Sequence, residues 1–266
     1  VSSIGDNSSN ALDWSTKGNN FSIYGSRINS SSKIYGPSSL EVFGNITSYA
    51  IKNPFVDFPS RYLSMSLWIK ANPTPGGAIF SYASSASDNE FLMMNPNNLT
   101  FYRTTSSLTT PVNISDNLWH HLVISWNGDD GNITIYRDGS SAYSTALLGG
   151  TSITSGGSFV LGNEQDSVGG GFDPAQTFNG SIDDLLIFKR IISLSEIQSL
   201  YNSSVYKYQN NFTGLLGGMH NFTGYAVDSS GNKNLSEIRS ITIRENDLIN
   251  PEINFTDPST SNGNQS

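Results

Sequence analysis

The chain has 266 residues, a formal net charge of −8 and only 14 % charged residues, and it contains no run of clustered Lys and Arg. That balance excludes nucleic acid as a partner, because counterion release from a phosphate backbone needs such a cluster. The length supports a sizeable core, the absence of cysteine excludes a disulfide framework, and 11 % aromatic residues among abundant Ser, Thr, Asn and Gly fit short strands joined by turns.

In chain order, apolar residues alternate with polar ones in "YLSMSLWIKA" from Tyr62, "GAIFSYA" from Gly77, "EFLMM" from Glu90, "LTFYRT" from Leu99 and "WHHLVISW" from Trp119. The same period continues in "NITIYRDG" from Asn132, "SFVLG" from Ser158 and "GSIDDLLIFKR" from Gly180. It is the period of half-buried strands. Between them "NPTPGG", "NGDDGN" and "RDGSS" carry turn chemistry. The pattern predicts an all-β fold, an antiparallel two-sheet jelly-roll sandwich with one short helix. That helix is "SLSEIQSLYN", where Ser193 and Glu196 form a capping box and Leu194, Ile197, Leu200 and Tyr201 recur at helical spacing.

Residues 1–203 are expected to form the sandwich and 204–248 a small C-terminal β unit, a hairpin or partial immunoglobulin-like piece. In it Phe222, Tyr225 and Val227 precede a "DSSGN" turn, and Ile238, Ile241 and Ile243 follow. Residues 249–266 read as a linker or the start of a further repeat. No apolar run reaches the ~18 residues of a membrane span, and no signal peptide is visible, so any export signal or anchor is expected outside this chain.

Fourteen Asn-X-Ser/Thr sequons occur, at Asn7, Asn20, Asn29, Asn45, Asn98, Asn113, Asn132, Asn179, Asn202, Asn211, Asn221, Asn234, Asn254 and Asn264. Composition alone would give roughly seven, so the excess points to a glycosylated extracellular or cell-surface protein. Asn211, Asn221 and Asn234 in the C-terminal unit are the first candidates.

The stretch "LGNEQDSVGGGFDPAQTFNG", Leu161–Gly180, gathers acidic and amide oxygens on glycine-rich backbone in a chain otherwise sparing with charge. Calcium takes roughly six to eight oxygen ligands from carboxylates, amides and carbonyls, so the stretch predicts a calcium loop. Its Leu-Gly-X-Glu-Gln-Asp-Ser opening resembles the pentraxin family. "SDNEFLMM" is similar to that family's Asp-Asn-Glu calcium segment, and "HLVISWNG" to its His-X-Cys-X-Ser-Trp signature. The resemblance implies one calcium held by Asp88, Asn89, Glu164, Asp166 and the Gln165 carbonyl. It implies a second held by Glu164, Asp166, Asp173 and Gln176.

The chain departs from the family where Val123 stands for the signature cysteine and Gly128 for its closing Ser or Thr. Apolar packing is expected to replace the disulfide between the sheets. An apolar residue of the family's ligand pocket falls near Met94, but the following segment does not align, so ligand identity does not carry over. The same region also resembles laminin-G-like and concanavalin A-like sandwiches, many of them modules of long surface proteins, and the absence of cysteine fits a microbial surface protein.

Other features receive structural readings. Asp183 and Asp184 are adjacent on a strand and should point to opposite faces. His120 and His121 alternate likewise and are expected to cap a strand, and the Gly169–Gly171 run lacks the Lys-Ser/Thr of a phosphate loop. No nucleophile–base pair is present, so no enzyme is expected. The reading is a calcium-dependent recognition or adhesion module for a glycan or other oxygen-rich surface ligand. The alternative is a structural subunit of a fibre or surface layer, with calcium as rigidifier and "PEINFTDP" of one copy adding a strand to another.

Overall fold

A computed structural model describes residues 9–13, 15, 17–34, 36–73, 76–205, 213–227, 233–235 and 238–243. Two compact units divide the chain, Val1–Tyr206 and Lys207–Ser266. "PEINFTDP" lies outside the described residues.

The first unit is a sandwich of two antiparallel sheets. Eight strands form one of them, in the spatial order β1 (Asn10–Ala11), β2 (Phe21–Tyr24), β5 (Tyr49–Phe55), β14 (Gly157–Leu161), β7 (Ala78–Ala83), β8 (Phe91–Met94), β9 (Thr100–Arg103) and β10 (Ser106–Thr109). Seven form the other: β13 (Ser140–Ala146), β12 (Asn132–Arg137), β11 (Trp119–Asn127), β6 (Tyr62–Ala71), β15 (Asn179–Phe188), β4 (Ser39–Phe43) and β3 (Arg27–Asn29). All eight strands expected from alternation are present, and seven more join them.

One core fills the space between the sheets because residues at period two face inward. Leu63, Met65, Leu67 and Ile69 of β6 are fully buried there. Opposite them Phe159 meets Phe21, Phe55, Phe58 and Phe80 at centroid distances of 5.7 to 6.3 Å. Such aromatic contacts add roughly 0.5–1.5 kcal/mol per pair beyond area burial.

The outer face of β6 is buried as well, since α1 (Leu194–Val205) covers it. Ser193 Oγ accepts the Glu196 amide at 3.3 Å, and Glu196 accepts the Ser193 amide at 2.8 Å, which completes the expected capping box. Tyr201 stacks on Trp68 at 5.7 Å, and Ile197 packs with Val123 and Ile192. Val123 therefore packs beneath this helix, where the sequence led us to expect a contact between the sheets. Gly128 admits no side chain, because a Cβ there would stand 2.6 Å from the Thr151 carbonyl oxygen. Ser193→Ala should lower stability by about 1 kcal/mol in chemical denaturation, with the loss confined to the helix in hydrogen exchange.

In the second unit Gly218–Phe222 pairs with Arg239–Ile243, and Tyr225–Val227 pairs with Lys233–Leu235. These are two antiparallel ladders in nested order, separated on one side by Thr223–Gly224.

Candidate metal centre

The acidic loop leaves β14 at Gly162, whose φ of +97° suits glycine. Its anchor is Gln165, fully buried, whose Nε2 donates to the Ser81 carbonyl and hydroxyl at 2.9 Å and to the Ser158 carbonyl at 3.1 Å. Gln165 Oε1 accepts the Gly169 amide at 2.8 Å. The side chain is consumed in holding the loop to β7 and β14, which leaves the main-chain carbonyl as the atom Gln165 can offer a metal. Beyond it Ser167 and Gly170 exchange backbone hydrogen bonds in a tight turn, with φ of +79° at Gly169 and +75° at Gly171.

Glu164 lies at the base of the loop, only 2 % exposed, and neither carboxylate oxygen has a hydrogen-bond partner. Burial pushes its pKa up to about 7, and the charges of Asp166, Asp88 and Asp173 push in the same direction. The nearby Gln165 amide opposes this slightly without a hydrogen bond of normal geometry. The structure therefore brings Asp88 to the same neighbourhood as the 164–173 loop. Asp166 and Asp173 are exposed, Asp88 and Asn89 half-buried, and Asn89 Oδ1 is a second buried oxygen without a partner. Asp173 caps the 3-10 turn Pro174–Gln176 by accepting the Ala175 amide, which positions Gln176.

Unpartnered buried oxygens beside several carboxylates are the donor set a hard cation needs, since each would otherwise cost a full desolvation penalty. Among the described residues no three acidic or histidine side chains converge on one point closely enough to hold a metal. The acidic oxygens nearest Glu164 are those of Asp166, Asp88 and Asp173, whose charges act on it.

Sequence reasoning missed the pair that fixes the second segment. Glu90 and Arg103 are both almost fully buried, 3.5 Å apart. Glu90 accepts Ser84 Oγ at 2.8 Å and the Thr154 amide at 3.0 Å, and Arg103 donates to the Glu90 carbonyl. The guanidinium also stands 4.6 Å over the Trp126 ring. The Ser84–Glu90 turn carrying Asp88 and Asn89 is thereby tied to β9 and to the 151–154 segment. The legible signal was Arg103, a lone charge in an otherwise apolar-patterned strand.

The remaining candidates stand apart from the loop. His120 and His121 lie within β11 and do not cap it. His120 is held between Asp138 at 2.8 Å and Asp116 at 3.0 Å, and His121 Nε2 pairs with Ser66 Oγ at 2.9 Å. Burial pushes the His121 pKa down to about 4. Asp183 and Asp184 do not simply alternate, because a β-bulge lies between Asp183 and Leu186. Asp183 is fully buried and accepts the Ile34 and Asp184 amides.

Two antiparallel sheets with an acidic loop beside an Asp-Asn turn define an all-β sandwich with one oxygen-rich loop face. The pentaxin family model matches residues 43–214, and the chain belongs to that family. Neuronal pentraxin-2 of Cavia porcellus is 34 % identical over 154 residues, covering 55 % of this chain and 36 % of that protein. The sushi, von Willebrand factor type A, EGF and pentraxin domain-containing protein 1 of Rattus norvegicus is 34 % identical over 145 residues, 53 % of this chain and 4 % of that one. The chain thus spans only a small part of these curated relatives. They are animal proteins, so the expected microbial source finds no support among them. The binding domain of botulinum neurotoxin serotype G has a TM-score of 0.58 at 19 % identity, covering 84 % of this chain and 58 % of that one, a likeness of fold alone.

Proposed function

We propose that the chain is a non-enzymatic, calcium-dependent recognition module of an extracellular protein, with the ions held where Asp88 and Asn89 meet the 164–176 loop. The observation that carries this reading is Glu164, buried with both oxygens unpartnered and crowded by three aspartates. Calcium supplies positive charge that offsets this crowding and leaves coordination positions for ligand oxygens. Glu164, Asp166, Asp173, Asp88, Asn89 Oδ1, the Gln165 carbonyl and Gln176 are the residues that would hold it.

The ligand class is a glycan or another oxygen-rich surface group. Ala78, Leu92 and Met94, with Tyr102 against them, form a small apolar cluster separate from the main core. β8 carries Leu92 and Met94 directly after the Asp-Asn turn, and Ala78 bridges to Thr177 beside Gln176. The cluster therefore borders both metal-bearing segments; Ala78, Leu92 and Met94 are buried in it, and the half-buried Tyr102 is its one member open to a ligand. Titration calorimetry of chelated protein with calcium tests the site. Saturable uptake that Glu164→Gln abolishes is expected, and absence of uptake by the unaltered chain overturns the reading.

Glycan attachment follows from the extracellular placement. Asn45 and Asn113 are exposed in loops, and each Oδ1 accepts both the backbone amide and the hydroxyl of the residue two positions on. Asn221 is exposed, with its Oδ1 accepting Ser240 Oγ, whereas Asn211 lies outside the described residues. Asn179 is different: it opens β15, its Oδ1 accepts Asn72 Nδ2 at 2.8 Å, and a Cβ added at Gly44 would stand only 3.0 Å from its own Cβ. In a glycosylating secretory host, peptide mass spectrometry should find sugar at Asn45 and Asn113 and none at Asn179. Occupancy at Asn179 in folded protein, or bare Asn45 and Asn113, would contradict this.

A further inference from the structure

The face of the eight-stranded sheet that carries the acidic loop carries aromatic rings as well. Phe21 and Ile23 of β2 and Ala50 of β5 point into the core, so the alternate residues Tyr24 and Tyr49 point outward. Ser81 alternates in the same way with the core residues Phe80 and Tyr82, and its hydroxyl accepts Gln165 Nε2. The loop therefore lies across the same outward face. Strand order puts β5 and β2 on one side of β14, and β7 and β8, which flank the Asp88–Asn89 turn, on the other.

Three rings run outward from the loop as a ladder. Phe172 meets Tyr49 edge-on at 4.7 Å, and Tyr49 stacks at 5.0 Å on Tyr24, its cross-strand partner, with ring planes 22° apart. Phe172 and Tyr49 are half-buried, whereas Tyr24, the last rung, is 50 % exposed. The inner end is fitted to β5, since a Cβ added at Gly169 would stand 2.8 Å from Asn53 Nδ2. One face of the Tyr24 ring is taken by Tyr49, and among the described residues no second ring covers the other.

An open ring face with hydroxyls beside it suits a pyranose. The C–H face of the sugar packs on aromatic carbon, while its hydroxyls stay in water or reach polar neighbours such as the exposed Ser22, two residues away on the same side of β2. A protein hot spot instead fills a desolvated pocket, which a half-exposed ring standing on a sheet does not provide. We propose that Tyr24 is a stacking subsite for one pyranose of a glycan whose other oxygens reach the acidic loop, with Tyr49 and Phe172 holding the ring in place. The subsite deepens the recognition reading above and rests on it, because connection to the loop is what selects a sugar. Chains should bind better than single sugars, since two ring contacts separate Tyr24 from the loop.

The test is saturation-transfer NMR and titration of the full chain in calcium, with di-N-acetyllactosamine as the chain probe and methyl β-galactoside as the single sugar. Tighter binding of the tetrasaccharide is expected, with saturation strongest on the ring protons of one residue. Tyr24→Ala should weaken the tetrasaccharide about threefold to tenfold, the range of one aromatic contact, and remove the preference for it. Tyr24→Phe keeps the ring and should keep the preference. Equal binding of the two probes by the unaltered chain, or an unchanged preference in Tyr24→Ala, overturns the proposal. So does an equal loss in both variants, which would assign the effect to the phenol hydroxyl. A dimer in sedimentation that Tyr24→Ala dissolves overturns it too, since a second copy would then occupy the ring. Calorimetry run alongside separates the two readings: calcium uptake without the preference ends the subsite alone, and no calcium uptake ends the function it rests on and the subsite with it.

Discussion

In chelator at pH 8, Glu164→Gln should make the folded chain more stable, although the same substitution abolishes calcium uptake. The reason is electrostatic. Glu164 has its pKa raised to about 7 in the folded state against 4.5 for the ordinary side chain, by burial first and by Asp166, Asp88 and Asp173 after it. A raised folded-state pKa means the folded chain binds the proton more tightly than the unfolded chain. The associated stability is fully present below about pH 4.5 and is lost as pH rises through about 7.

Above that window the ionised Glu164 costs the calcium-free protein up to ~3 kcal/mol, which the neutral glutamine does not. Calcium should close most of that gap at a hundredfold excess over Kd and reverse the order at a thousandfold excess, where it is worth about 4.1 kcal/mol. At a hundredfold excess over Kd it adds about 2.7 kcal/mol to the unaltered chain and nothing to the variant. Thermal unfolding of both proteins at pH 5 and pH 8, with and without calcium, gives four comparisons. A variant less stable than the parent in chelator at pH 8 would sink the argument, and so would an equal calcium shift in both.

The second large effect is expected at Arg103. Arg103→Met should cost about 3–5 kcal/mol, because it leaves Glu90 buried without its charge partner. The ion pair itself is weak evidence of stability, so the double variant Arg103→Met with Glu90→Gln should recover much of the loss. Calcium binding should not recover with it. Glu90 accepts Ser84 Oγ and the Thr154 amide, and these bonds hold the turn that presents Asp88 and Asn89. Denaturant unfolding measures the first effect and calorimetry the second. A single-variant loss under ~1 kcal/mol, or calcium affinity unchanged in both variants, would show that the pair does not position the turn.

Much of this protein was legible before any coordinates. Eight strands followed from period-two alternation, and α1 from its capping box and helical spacing, because each of those signals is local. Strands such as Ser140–Ala146 and Ser106–Thr109 were not legible, since they are polar, partly exposed edge segments whose sequence carries no buried face. The oxygen-rich character of residues 161–180 was also evident, together with the family resemblance that joined it to Asp88 and Asn89. Tertiary structure alone decided which atoms are available. It turned the Gln165 side chain inward as an anchor, buried Glu164 without partners, assigned Glu90 to Arg103, and placed a bulge that separates the roles of Asp183 and Asp184. Composition and periodicity report which face a residue prefers. Protonation, pairing and bulge position depend on neighbours distant in sequence, and those exist only once the sheets have closed on each other.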